Sequence, residues 1–232
     1  DGVSEDKAEA ARLYEASASH GNCKAQSNLG YMYSRGDGVE VDYKKAVDYY
    51  ERAVEQNDSD AQLNLGLMYQ LGQGVPIDKE KTVDLYTKSA ENGNPKAQFN
   101  LAVLYQNGEK GVIEKDVRKA IKYYSMAGSK GLSEALFNLG VLYNKGDKDQ
   151  LVPDKQKAAE YFQLAADQNN ADAQLNLGAM YSKGEGYLEV DKAKALELFE
   201  KSANQGNPQA AYNIALLYSK GDEKIPRNYQ KA

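Results

Sequence analysis

The sequence predicts an all-α fold, an α/α solenoid of antiparallel helix pairs, and three observations carry the prediction. First, a twelve-residue string, Ala-Gln-x-Asn-Leu-Gly-x-Met-Tyr-x-x-Gly, returns with small changes from Ala25, Ala61, Ala97, Ala135, Ala173 and Ala210, at intervals of 36, 36, 38, 38 and 37 residues. Self-similarity at such a period marks stacked helical hairpins, none of which can bury its apolar face alone. Second, residues that start and stop helices recur at fixed offsets from that alanine. Third, all variation in repeat length falls in one short segment of each repeat.

The elements follow in chain order. Residues 6–20 carry a second-helix pattern, with Tyr14 matching Tyr50 and Gly21 matching Asn57, so residues 1–21 form a half repeat. Repeats start near residues 22, 58, 94, 132 and 170, and a partial repeat covers 207–232. The whole of 1–232 reads as one solenoid domain. The chain opens at Asp1 without methionine and stops inside a recurring pattern, so a fragment of a longer protein is expected.

Within a repeat, the first helix is announced three residues before the recurring alanine by Asn22, Asp58, Asn94, Asn170 and Asn207; Leu132 departs. Their side-chain oxygens accept from the free N–H groups of a first helical turn. Pro95 and Pro208 follow at the first helical position, where a missing N–H costs nothing. The helix is expected to stop at Gly36, Gly72, Gly108, Gly146, Gly184 and Gly221, because glycine tolerates the left-handed backbone that ends helices. A second cap series, Asp42, Asp78, Asp116, Asp154, Asp191 and Asn228, opens the second helix. Asn57, Gly93, Gly131, Asn169 and Gly206 close it.

The distance from alanine to glycine is 11 residues in all six units, and from second cap to next alanine 19 in all five. Between glycine and cap it is 6, 6, 8, 8, 7 and 7. Helices and inter-repeat turns are therefore expected to be packed, and the loop inside each repeat to lie at a free edge. Ala25, Leu29, Gly30 and Tyr33 share one helix face. The small residue at Gly30, Gly66, Ala102, Gly140, Gly178 and Ala215 marks close helix approach, since glycine in a helix interior costs about 1 kcal/mol against alanine. Ala46, Tyr50 and Ala53 form the matching stripe on the second helix.

The order Ala-x-x-x-Leu-Gly-x-x-Tyr-x-x-Gly, then Asp, Lys-Ala, an aromatic residue and a Gly-terminated helix, resembles the Sel-one-like repeat (SLR) family, relatives of the tetratricopeptide repeats. The resemblance covers essentially the whole chain. Two positions depart: the second-helix aromatic, often Trp in the family, is Tyr or Phe here, and Thr82 replaces an alanine. The resemblance implies a right-handed superhelix whose first helices line a concave face. It also implies a role as adaptor or scaffold, as in signalling, membrane-protein quality control, cell-wall synthesis or host–pathogen contact. A cysteine-rich branch linked to β-lactam hydrolysis staples each repeat with a disulfide. A chain whose only cysteine is Cys23 does not belong to it.

If first helices line a groove, their unpacked positions face it. One column is Ser27, Leu63, Phe99, Phe137, Leu175 and Tyr212; another is Tyr31, Leu67, Val103, Val141, Ala179 and Leu216. A polar column of Ser34, Gln70, Gln106, Asn144, Ser182 and Ser219 flanks them. An apolar floor with a hydrogen-bonding edge suits an extended peptide or a short helix; packed between adjacent first helices, the same residues are core. Asn28, Asn64, Asn100, Asn138, Asn176 and Asn213 form a candidate amide ladder. It either holds neighbouring backbone or clamps a partner, and the structural role is favoured because a clamp rarely needs every repeat.

Several classes are excluded. A net charge of −5 and no long basic run argue against nucleic acid. One histidine, His20, and one cysteine leave no metal site. No P-loop, nucleophile elbow or dinucleotide fingerprint occurs, so no catalytic residue, enzyme activity or cofactor is expected. No apolar run of about 18 residues offers a membrane span. The expected partner is a protein or peptide, and self-association through exposed terminal repeats is a further expectation. The alternative is a regulatory or targeting region of a larger enzyme or exported effector. No residue names the compartment, cytoplasmic or exported.

Overall fold

A computed structural model describes residues 6–221 and Asn228. Among the described residues there are twelve α-helices, each of 13 residues, and no strand. They are α1 (Lys7–Ser19), α2 (Cys23–Arg35), α3 (Tyr43–Glu55), α4 (Ser59–Leu71), α5 (Lys79–Glu91), α6 (Pro95–Asn107), α7 (Val117–Ser129), α8 (Ser133–Lys145), α9 (Lys155–Asp167), α10 (Ala171–Lys183), α11 (Lys192–Asn204) and α12 (Pro208–Lys220). The chain divides into two compact units, Asp1–Lys115 and Asp116–Ala232.

The expected caps are in place. Asn22, Asp58, Asn94, Asn170 and Asn207 each accept from the backbone N–H of the recurring alanine, whereas Leu132 makes no side-chain cap. Asp42, Asp78, Asp116, Asp154 and Asp191 do the same for the second helices. Past the second-helix ends, Gly21, Asn57, Gly93, Gly131, Asn169 and Gly206 all have positive φ. Asn228 N–H donates to the Tyr218 carbonyl at 3.0 Å, as Asp42 N–H does to Tyr33. The second helix expected after Asn228 lies outside the described residues.

The small mid-helix residue is explained by what faces it. A Cβ added at Gly30 would lie 2.6 Å from the Tyr50 ring, at Gly66 2.8 Å from Tyr86, at Gly140 2.5 Å from Phe162, and at Gly178 2.8 Å from Phe199. These four first helices thus lie directly on their partners' aromatic rings. In unit 1 the core runs through Leu29, Tyr33, Ala46, Tyr50, Leu65, Met68 and Leu85. In unit 2 it runs through Leu136, Phe162, Leu177, Met180 and Leu198, with Ala195, Phe199 and Ala210 alongside.

One expectation is corrected. The loops within repeats are not at a free edge; three of them sit on the first turn of the preceding second helix. A Cβ at Gly38 would collide with the Lys7 carbonyl, one at Gly74 with Tyr43 and one at Gly186 with Lys155. Ion pairs Lys7–Asp37 (3.2 Å) and Lys155–Glu185 (3.1 Å) hold two of these junctions, and Lys79–Glu109 (2.7 Å) ties a fourth loop to the first turn of α5. Length still varies because the longer loops close on themselves through bridges between Glu109 and Ile113 and between Asp147 and Leu151. In the second of these, Gln150 Oε1 accepts from the Val117 N–H at 2.7 Å, serving the first turn of α7.

Candidate functional site

The first-helix columns are best resolved in unit 1, where α2 and α4 pack side by side. The N-terminal ends of α2, α4 and α6 surround a cavity of about 360 Å3 lined by Lys24, Ser27, Asn28, Tyr31, Asp60, Leu63, Asn64, Asn94, Pro95 and Lys96. Helix capping places one wall. Asp58, buried as the α4 cap, accepts from the Ala61 N–H at 2.8 Å, from Ser27 Oγ at 3.1 Å and from Lys24 Nζ at 2.7 Å. Burial alone would raise its carboxyl; the Lys24 ammonium, the Ala61 N–H and Ser27 outweigh that and hold it below the usual carboxylate range. Lys24 is raised in turn, chiefly by its hydrogen bond to Asp58. The next cap repeats the theme: Asn94 Nδ2 donates to Asp60 Oδ1 at 2.8 Å, and Lys24 lies 3.7 Å from Asp60.

The apolar columns divide by exposure. Leu63 is 9% exposed and forms the cavity floor, whereas Leu67, one turn on, is 40% exposed and Leu71, a further turn on, 54%. Tyr31 on α2 is 48% exposed beside them. Phe99 and Gln106 on α6 are half-buried, and Gln70 is exposed but accepts from the Tyr86 hydroxyl at 2.6 Å. In unit 2, Phe137 packs against the core with its ring centroid 5.8 Å from that of Phe162. Leu175 packs against Ala195 and Phe199, Asn144 is half-buried, and Tyr212 is exposed.

The asparagine column has several fates. Asn138 Nδ2 donates to the Tyr124 hydroxyl at 3.2 Å, and Asn100 hydrogen-bonds the Tyr86 hydroxyl. Phe162 and Phe199 offer no hydroxyl, and there Asn176 donates to the Asp172 carbonyl while Asn213 accepts from Gln209. Opposite Asn64, the Tyr50 hydroxyl is met by Ser34 instead. Asn28 and Asn64 make no side-chain hydrogen bond among the described residues, and both line the cavity.

A second polar column escaped the sequence reading. Gln26, Gln62, Gln98 and Gln174, each directly after the recurring alanine, are buried. Gln62 donates to Asn57 Oδ1 at 2.8 Å and accepts from Asn92 at 2.9 Å. Gln174 likewise donates to Asn169 at 3.1 Å and accepts from Gln205 at 2.8 Å. These amides tie consecutive inter-repeat turns together. Their recurrence in the motif was the available signal.

His20 and Cys23 turn away from each other's chemistry: His20 Nδ1 lies 2.8 Å from the Ala16 carbonyl and the Cys23 thiol donates to Ala53 at 3.7 Å. Among the described residues no group of three or more His, Cys, Asp or Glu could hold a metal, and no helix is long and apolar enough to cross a membrane.

Comparison with known proteins follows the same geometry. The Sel1 repeat model matches residues 1–22, 23–58, 59–94, 95–132, 133–170, 171–207 and 208–232. Among solved structures, the chain is similar to a protective antigen present in uropathogenic Escherichia coli strains that displays an SLR fold. The identity is 32% and the TM-score 0.89, over 100% of this chain and 49% of that one. The chain thus spans about half the length of that relative. It is also similar to a Sel1 repeat protein from Oxalobacter formigenes, 34% identical with a TM-score of 0.81, over 91% of this chain and 84% of that one. No curated protein matches the chain.

Proposed function

We propose, from the premise that this chain belongs to the Sel1 repeat family, that it is a non-enzymatic scaffold whose first-helix face receives a segment of a partner protein. Sel1 repeat proteins generally mediate protein–protein interaction, and the repeat scaffold is generally non-catalytic. The observation that carries the reading is the coincidence, on unit 1, of an open cavity with an exposed apolar strip of Tyr31, Leu67 and Leu71. Contiguous exposed apolar surface beside a polar rim is the mark of an interaction site. Leu63 supplies the floor, Phe99 the half-buried flank on α6, and Gln70 and Gln106 the polar edge. In unit 2, Tyr212 is the open position, while Phe137 and Leu175 offer only edges and Asn144 a rim amide.

The test uses residues that are exposed, so that loss of binding is not loss of fold. A Tyr31→Asp/Leu67→Asp chain and a Leu164→Asp control on α9 are compared with wild type in affinity capture from source-cell lysate, with melting curves checked first. A partner kept by wild type and control and lost by the double variant supports the face. A partner retained by all three proteins refutes it.

A further inference from the structure

We infer that the cavity over Leu63 binds a neutral pyranose sugar. The Asn28 and Asn64 carboxamides hold its hydroxyls, and the Tyr31 ring takes one of its C–H faces. The inference goes beyond the protein segment proposed above: Leu67 and Leu71, which carry that reading, lie outside the cavity lining and keep their role.

Charge excludes an ionic ligand. Around the rim Lys24 and Lys96 balance Asp58 and Asp60, so the site as a whole is neutral. Lys24 is held by Asp58 at 2.7 Å and lies 3.7 Å from Asp60 Oδ2, while Asp60 Oδ1 accepts from Asn94 at 2.8 Å. Both oxygens of Asp60 are therefore engaged, and a ligand ammonium finds no free carboxylate. Lys96 is exposed to water, where an ion pair gains little. What remains for recognition is uncharged hydrogen bonding.

The free groups match a sugar on both of its sides. Asn28 and Asn64 line the cavity with their carboxamides unspent, each holding two N–H donors and an acceptor oxygen. Neighbouring hydroxyls on a pyranose both give and take a proton, so one amide meets a hydroxyl pair with its two ends. Ser27 gives its own proton to Asp58 at 3.1 Å, which leaves its oxygen as a further acceptor in the wall. The rest of the lining is a short apolar surface of Tyr31, Leu63 and Pro95. Tyr31 is 48% exposed, and the negative face of its ring attracts the partly positive C–H groups of a sugar. An aliphatic occupant would cover Leu63 as well, but it would leave both amides unpaired. The volume of about 360 Å3 lies at the lower end of small-ligand sites, about 300–1,000 Å3.

An array of neutral, acidic and basic pyranosides, probed with the full chain, tests this. The sugars retained are then titrated by NMR against wild type, Asn64→Ala, Tyr31→Ala and Leu71→Asp, each checked for fold by circular dichroism. We expect neutral pyranosides to be retained, with saturation transfer to their ring C–H protons and amide shifts confined to α2, α4 and the start of α6. Asn64→Ala should weaken Kd about tenfold, the size of one lost hydrogen-bonding group. Tyr31→Ala should weaken it at least as much, and Leu71→Asp should leave it unchanged. An array on which no sugar is retained overturns the proposal, as does retention of acidic or basic sugars in preference to neutral ones. Binding that survives both Asn64→Ala and Tyr31→Ala, or that Leu71→Asp abolishes, overturns it too, because the sugar then sits elsewhere. If the sugar site fails in any of these ways while the Tyr31→Asp/Leu67→Asp chain still loses a captured protein, the interaction face stands without it.

Discussion

The contact between Gly140 and Phe162 is the sharpest place to test how this chain packs. A Cβ at Gly140 would lie 2.5 Å from Phe162 Cδ1, 2.6 Å from Cε1 and 3.0 Å from Cγ. Carbon atoms in contact rest at about 3.5–4.0 Å, so Gly140→Ala forces α8 and α9 apart by about 1 Å. Overpacking of that kind costs about 1–3 kcal/mol, while replacing glycine inside a helix returns about 1 kcal/mol. The net expectation is a loss of about 0–2 kcal/mol, and the alanine already present at Ala102 and Ala215 agrees with its lower end. Gly140→Leu adds three more carbons against a ring with no exposed surface, and a loss above about 3 kcal/mol is expected. Gly131 provides the control. Its φ is +87° and nothing lies within 4 Å of an added Cβ, so Gly131→Ala costs only the left-handed backbone, about 1–2 kcal/mol. Equilibrium urea unfolding followed by circular dichroism reads all three variants. Adding Phe162→Leu should recover part of the Gly140→Leu loss and none of the Gly131→Ala loss. If Gly140→Leu matches wild type, or Phe162→Leu rescues both variants alike, the ring contact does not set the helix separation.

Burial pushes the Tyr50, Tyr86 and Tyr124 hydroxyls up to about 12. Their folded values exceed the unfolded value near 10, so the stability they add is whole below about pH 10 and lost as pH rises toward 12, up to about 2.7 kcal/mol per tyrosine. The melting temperature should fall steeply across that window, and Tyr124→Phe should flatten the fall; a flat alkaline limb in wild type would count against it. Gln62→Leu removes the partner of both Asn57 and Asn92 and should cost about 1–3 kcal/mol in urea unfolding, with faster amide exchange at the adjoining turn. Leu132→Asn supplies the one cap missing from the first-helix series and should stabilise unit 2 by about 0.5–2 kcal/mol; destabilisation would mean that the leucine is held by packing.

The parts of this fold that can be read from sequence are those whose cause is local. An Asp or Asn cap binds an N–H three residues away, and a glycine past a helix end needs only its own backbone, so Asp42 or Gly131 announces its role without reference to any neighbour. The small residue at Gly66 is legible for a related reason, since a recurring cost in helix propensity has to be repaid by a close approach. The buried glutamines are not legible in this way. Gln62 is an ordinary helix former by propensity, and its burial comes from two turns that reach it from 5 residues before and 30 residues after. The loop seat was missed because Gly38 is explained equally well by a turn; only the Lys7 carbonyl packed against it shows that a side chain has no room there. Leu63 and Leu67 share a face and a residue type, yet neighbours cover the first and leave the second open, a difference of one helical turn that periodicity does not encode.

The asparagine column shows why an identical residue in an identical register need not do one job. Where the amide bonds inside the protein, its partner follows what lies fourteen residues earlier on the second helix. Where that residue is a tyrosine, as at Tyr86 and Tyr124, the amide is drawn to the hydroxyl; where it is Phe162 or Phe199, the amide falls back on its own helix. Tyr50 stands in the same place relative to Asn64, and its hydroxyl is met by Ser34. Position 34 is glutamine in the next repeat, and there Gln70 accepts the tyrosine hydroxyl's proton while Asn100 still serves it as donor. Ser34 gives its own proton to the Tyr31 carbonyl at 2.8 Å, so toward Tyr50 it stands as an acceptor, the role that Gln70 plays for Tyr86. Asn64 nevertheless lines the cavity and makes no bond to that hydroxyl, so Asn64→Ala should leave stability unchanged, whereas Asn138→Ala removes a donor to the buried Tyr124 hydroxyl and should cost about 1–3 kcal/mol; equal losses in urea unfolding would refute the distinction.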